Sequence, residues 1–201
     1  MNETCDWVGD DPLYQRYHDA EWGRPVTESR ALWEALILEG FQAGLSWITI
    51  LRKREDFRIA FAGFEPDVIA HWGAKEVDDL LQNPKIIRHR GKIEGTIAGA
   101  KIYQRIQSEY GFARYIWDFV EGRPLQPMRH SLADVPAQTD LSNKLSKDLK
   151  AQGFKFCGPT ITYAFMQAVG LINDHVVTCP QHQPVKRLGL DMPKRLQTGF
   201  G

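Results

Sequence analysis

"KAQGFKFCGPTITYAFMQAVG", Lys150 to Gly170, decides how the chain folds. Upstream of it, Leu141, Leu145 and Leu149 recur every fourth residue, with Lys144, Lys147 and Lys150 off that stripe, the pattern of an amphipathic helix. Gly153 follows the last periodic position, where a glycine closes a helix. The segment "FKFCG" then makes a short turn, and Pro159 stands where the first turn of a new helix needs no N–H. This pattern predicts a helix-hairpin-helix. Such a turn aims backbone N–H groups and a positive helix end outward, which suits one phosphate and needs no excess of net charge. Lys155 and Gly158 are the candidate phosphate contacts. An ordinary corner between two helices has the same local pattern, so both readings stand on these residues alone.

Outward from the hairpin, helical periodicity dominates. Residues 28–40, 43–64, 74–83 and 90–111 carry apolar positions at helical spacing, and no stretch shows strand alternation. Residues 117–138 are rich in proline and other breakers and read as a connecting loop. The expected fold is therefore all-α, with residues 1–201 forming a single unit of two close-packed halves. The N-terminal segment is expected to be irregular, rich in aromatics and held down by something other than helix packing. The tail 180–201 matches no pattern with an assignable role.

Composition narrows the function classes. A chain of 201 residues that is 43% hydrophobic can bury a substantial core. No basic segment followed by an apolar run opens the sequence, and no stretch approaches the roughly 18 apolar residues of a membrane span, so a cytoplasmic protein without a membrane partner is expected. Three cysteines are an odd number and make no disulfide framework; metal ligation or plain burial fits them better. The net charge is zero, so no global field draws the chain to nucleic acid. Locally, acidic residues crowd the start (Asp6, Asp10, Asp11, Asp19, Glu21), and basic runs lie in "LRKRE", "IIRHRGKI" and "NKLSKDLKAQGFKF". Those runs are either solvated helix faces or phosphate contacts.

The segment "NDHVVTCPQHQ", Asn173 to Gln183, holds His175 and Cys179, and the N-terminal segment holds Cys5 and His18. Two such pairs make a closed tetrahedral set for one structural zinc. His182 competes for a place in that set, and each residue also has an ordinary reading as a core or surface group. A catalytic zinc would need an open coordination position and a motif such as H-E-x-x-H, which the sequence lacks.

Glu39, in "LILEGFQAGLSWITIL", is the third candidate. Counted along one continuous helix, it shares a face with Leu32, Ala35, Leu36, Ala43 and Trp47, where a lone carboxylate is costly unless something pairs with it. Gly40 and Gly44 would leave room for that group. Trp7, Tyr14, Tyr17, Trp22 and Trp47 stand around it in the sequence. A carboxylate with aromatic plates is what a flipped nucleobase requires, although a helix cap or a bond to buried backbone would also explain Glu39.

"CDWVGDDPLYQRYHDAEWG", "LEGFQAGLSWITIL", "IIRHRGKI" and "GFKFCGPTITYAFMQAVGLINDHVVTC" resemble bacterial 3-methyladenine-DNA glycosylase type I, from Cys5 to Cys179. The resemblance implies the all-α helix-hairpin-helix glycosylase fold, with a zinc joining the chain ends through Cys5, His18, His175 and Cys179. It places the base pocket on Glu39, as the residue carrying recognition and catalysis, with Tyr17, Trp22, Trp47 and Trp7 around it. It implies a monofunctional enzyme, a monomer acting on alkylated double-stranded DNA. Many helix-hairpin-helix glycosylases support the sugar cation with an aspartate after the hairpin. Here Asp174 adjoins His175 and is as well placed to cap or to orient that histidine. Two other classes remain: a non-catalytic DNA-damage recognition module and a zinc-dependent hydrolase.

Overall fold

Helix α2 (Ser29–Gln42) is buried on most of its surface, with Leu32, Trp33, Leu36, Ile37, Leu38 and Phe41 all inside. A helix apolar nearly all round must be covered on all sides. In the computed structural model, which describes residues 4–192, the covering elements are α3 (Trp47–Ala60), α6 (Arg90–Glu109), α7 (Phe112–Trp117) and α9 (Pro159–Ala168). Helices α4 (Pro66–Ile69) and α5 (Ala74–Gln82) pack on α6, and α8 (Asp140–Gln152) packs on α9. Phe41, Phe57, Phe61 and Phe64 stack or tilt against one another in the main core. The described residues form no β-strand, only two isolated bridges, Leu125–Ile172 and Arg129–Val176. None of their helices is long and apolar enough to cross a membrane.

The joint between α8 and α9 follows its sequence. Gly153 is left-handed at φ 110°, residues 154–157 turn, Gly158 precedes the helix and Pro159 opens it. The expected loop over 117–138 is also irregular, apart from single turns at Asp118–Val120 and Leu132–Asp134.

Two expectations need correction, and the tail gains a described element. The N-terminal segment is not irregular throughout: α1 (Pro12–Ala20) forms there because Asp11 accepts from the Leu13 and Tyr14 amides at 2.8 and 3.3 Å and Pro12 occupies the first turn. The helix expected over 43–64 starts only at Trp47, because residues 43–46 turn through Gly44 at φ 84°. Trp47 therefore lines the same cavity as Glu39 from a second helix and does not continue its stripe. Part of the tail is ordered as α10 (His182–Leu190), whose His182 carbonyl accepts from Asn173 Nδ2; residues 193–201 lie outside the described part.

One contact sets where the two chain ends meet. At the end of α9, Gly170 has φ 73°, and a Cβ there would lie 2.5 Å from the Arg24 carbonyl carbon. Gly23 and Val26 donate to the carbonyls of Gln167 and Val169 across the same junction. Gly170→Ala combines a left-handed alanine with a clash against backbone, and thermal denaturation should show a loss of about 2–4 kcal/mol. Unchanged stability would mean that the junction yields freely.

Candidate functional site: an aromatic cleft over a buried carboxylate

Between the N-terminal segment and α2 lies a half-open cavity of about 230 Å³. Trp7 and Trp22 meet edge to face at 4.9 Å, and Tyr17 of α1 tilts against Trp47 of α3 at 5.5 Å. Glu39 of α2 lines the same cavity. Trp7, Tyr17, Trp22, Trp47 and Glu39, picked from separate stretches of sequence, thus share one cleft. Gln42 and Gln167 also line it and were not anticipated. Gln42 had a signal, since it lies three residues beyond Glu39 on one helix face; Gln167 had none.

Glu39 is 3% exposed and has no hydrogen bond or ion pair among the described residues. Burial alone pushes its carboxyl up to about 8. Two other buried polar atoms of lining residues lack partners, Gln42 Oε1 and Trp47 Nε1. Gly40 does not make room here: its missing side chain faces Phe156, and Gly44 faces open space.

Asp174 also lines the cleft, but its carboxylate is fully engaged. It accepts from Tyr163 Oη at 2.5 Å, Gln167 Nε2 at 2.8 Å and Arg129 Nε at 3.0 Å. It does not orient His175, whose Nε2 instead meets the Trp22 carbonyl at 3.2 Å. A carboxylate so occupied braces the wall and holds Gln167 in place.

Beside the cleft, Cys5, His18, His175 and Cys179 bring their ligand atoms within 4.8 Å of one another, all four buried, in a group that could hold a metal ion. The closest approaches are Cys179 Sγ to His18 Nε2 at 3.5 Å, Cys179 Sγ to His175 Nδ1 at 3.6 Å and Cys5 Sγ to His175 Nδ1 at 3.7 Å. Hydrogen bonds from Cys5 and from both histidines push the Cys179 thiol well below the usual range against the opposing effect of burial. His18 turns its other nitrogen to Asp19 Oδ1 at 2.8 Å. His182 is buried nearby but takes no part in the group.

The basic runs divide. In the first, Arg52 pairs with Asp11 and Arg54 with Glu21, while Lys53 donates to the Lys85 carbonyl, so the early acidic residues neutralise this run. Lys147, Lys150 and Lys155 are exposed and form no ion pair among the described residues. Lys155 sits in the hairpin turn, and a side chain on Gly158 would meet open space.

A buried carboxylate without a partner, in a cleft lined by aromatic side chains, can accept hydrogen bonds from a flat heterocycle bearing N–H donors. Residues 7–182 match the methyladenine glycosylase family model, and the chain belongs to that family. It is 50% identical over 178 residues to DNA-3-methyladenine glycosylase 1 of Escherichia coli strain K12, covering 88% of this chain and 95% of the relative. A crystal structure of 3-methyladenine DNA glycosylase I superposes with a TM-score of 0.88 at 51% identity, covering 90% of this chain and all of the other. The Staphylococcus aureus enzyme, whose structure addresses 3-methyladenine recognition, superposes with a TM-score of 0.87 at 40% identity, covering 90% and 97% of the two chains.

The state of Glu39 is measurable without substrate. Its carboxyl titrates near 4.5 ordinarily and near 8 in the fold. The folded chain therefore keeps a proton that the unfolded chain releases, and stability falls as pH rises through that window. Glu39→Gln removes this effect. Thermal melts should show the variant matching the wild type near pH 4 and exceeding it by on the order of 2–4 kcal/mol at pH 9. A gap independent of pH would contradict the assignment.

Proposed function

We propose that this protein excises 3-methyladenine from alkylated double-stranded DNA, the first step of base-excision repair, releasing the free base and leaving an abasic site. The chain acts as a single glycosylase unit and a monomer. The observation that carries this reading is Glu39, buried and unpaired in an aromatic cleft.

Methylation at N3 gives the purine a positive charge. When the glycosidic bond breaks, its electron pair neutralises the ring, so the leaving group needs little help from an acid. The sugar is left as an oxocarbenium ion; water adds to it and loses a proton. The residues do the selecting. Trp7, Tyr17, Trp22 and Trp47 take the flipped base between aromatic faces, where a cationic ring is favoured over a neutral one. Glu39 accepts from the base's N–H edge, and the incoming positive charge makes its ionised form affordable in a buried site. Normal adenine brings no such charge and leaves poorly. No lysine is assigned as a Schiff-base nucleophile, so the strand is not cut.

The joint of α8 and α9 serves as a helix-hairpin-helix, with backbone amides near Gly158 and the Lys155 ammonium meeting a phosphate. A structural zinc fits the four-residue group. With Zn–S near 2.3 Å and Zn–N near 2.0 Å, tetrahedral geometry requires sulfur and nitrogen about 3.5 Å apart, and the three closest pairs lie at 3.5–3.7 Å. His175 and His18 would bind through Nδ1 and Nε2, their other nitrogens already held by Trp22 and Asp19. Four protein ligands leave no position for an activating water, so the ion would supply cross-linking and no chemistry.

The deciding assay is release of free 3-methyladenine from methylated duplex DNA, run with folded protein before and after chelator. Release should occur, Glu39→Gln should slow it on methylated DNA, where the ring is still cationic, and the same variant should weaken binding of the neutral free base by about 1 kcal/mol, the range for an ordinary hydrogen bond. Binding to damaged DNA without release would favour a non-catalytic recognition module. Elemental analysis should find one zinc per chain, and Cys179→Ser should lower thermal stability far more than it slows the cleavage step. Metal-free protein of full stability would remove the zinc.

A further inference from the structure

Lys92 breaks two local rules at once. It sits in the first turn of α6, where a helix disfavours a cation. It is also 7% exposed and has no carboxylate in ion-pair reach among the described residues. Burial pushes its ammonium below the usual lysine range. Residues that break local rules without local benefit tend to serve a site.

Its contacts lie elsewhere. Nζ donates to the carbonyls of Phe41 and Ala43, each at 2.8 Å, and stands 5.7 Å from the centre of the Phe156 ring. Those carbonyls are at the C-terminal end of α2, where a helix leaves acceptors unmatched and favours a positive charge. One turn back is Glu39; a few residues on, past Gly44, is Trp47. Phe156 belongs to the hairpin turn and is held at φ 55°, a positive value for a residue with a side chain. The turn settles onto α2 and α6 because both present glycine. Phe156 Cβ and its carbonyl oxygen lie 3.5 Å from where a Cβ on Gly40 would stand, and Lys155 Cβ lies 3.3 Å from the same point on Gly95.

One ammonium therefore touches the end of the helix that carries the base-reading carboxylate and the turn beside the phosphate contact. We infer that Lys92 is a positioning residue that fixes the hairpin turn against the base pocket, so that a nucleotide gripped at its phosphate arrives at Glu39 in register. This rests on the proposed function. Three of the four aromatic walls, Trp7, Tyr17 and Trp22, come from the N-terminal segment, and Glu39 lies one turn inside its own helix, so most of the pocket does not depend on Lys92.

The test separates the parts from their alignment. For Lys92→Met, Lys92→Arg and Phe156→Leu in metal-containing protein, four quantities are measured. They are affinity for free 3-methyladenine, affinity for undamaged duplex, the single-turnover rate of base release from methylated duplex, and melting temperature. In Lys92→Met both affinities should stay within about twofold of wild type while the single-turnover rate falls roughly tenfold to a hundredfold, the scale of a misplacement near 1 Å. Lys92→Arg, which keeps the charge and can still donate to both carbonyls, should recover most of the rate. An unchanged rate overturns the inference, and so does a loss shared by all three functional readouts in step with the melting temperature. If Lys92→Met does not fold, Phe156→Leu decides by the same criterion. A wild-type protein that releases no base would count against the proposed function and not against Lys92.

Discussion

The convergence of two thiols and two imidazoles from opposite ends of the chain is the constraint on which the cleft depends. The N-terminal segment has only a small apolar cluster of its own, built on Val8, Tyr17, Trp22, Leu51 and Val176 around the two cysteines. That area is modest beside the entropy of fixing a long loop. The ligand group and the cleft walls also alternate along the chain. Trp7 follows Cys5 by two residues, Tyr17 precedes His18, and Trp22 gives its carbonyl to His175. A bond that seats the ligand residues seats the aromatic plates with them. The zinc we propose would therefore build half of the base pocket without touching the base.

The other half is a carboxylate kept in unfavourable surroundings. Glu39 could have been relieved by a nearby arginine, and the fold has such pairs: Arg54 binds Glu21, and Arg129 binds Asp174. None reaches Glu39. A paired Glu39 would be more stable in the empty protein and would offer a cationic base nothing that water does not. Leaving it unpaired lowers the stability of the unliganded fold at neutral and higher pH, and in the proposed reading that deficit is recovered when charge and N–H donors arrive. Selectivity then follows from charge, the property that separates an N3-methylated purine from its normal counterpart.

Much of this was legible in the sequence, and the failures have physical causes. The turn between α8 and α9 could be read because Gly153 and Pro159 act locally, through one left-handed residue and one fixed φ. The two cysteine–histidine pairs could be read because cysteine and histidine have few chemical roles, but spacing left His182 open, and the family resemblance narrowed the group to the four that the fold brings together. The break after Gln42 was missed because a four-residue turn leaves the helical spacing of apolar residues nearly intact on both sides, so Trp47 was counted on the wrong helix. Helix α1 is hard to read because its polar content blurs the apolar periodicity, although Asp11 and Pro12 form a start signal. The engagement of Asp174 by Tyr163, Gln167 and Arg129, and the reach of Lys92 to Phe41 and Ala43, had no sequence signal at all. Both join segments far apart in the chain, and only the fold brings them together.

A net charge of zero is consistent with a DNA partner once the charges are followed to their places. The run around Arg52 and Arg54 binds the acidic N-terminal segment and serves packing. Around the hairpin, Lys147, Lys150 and Lys155 on α8 and the turn after it are exposed without an ion pair among the described residues. In the proposed reading, these lysines and the turn amides meet a few phosphates near the hairpin, and so small a number of phosphate contacts releases few counterions and holds undamaged DNA weakly. For a protein that must test many sites and act on few, weak general binding joined to a charge-selective pocket places the discrimination at the flipped base. That arrangement puts a premium on the alignment of hairpin and pocket, because a short-lived encounter leaves little time for a misaligned base to find Glu39.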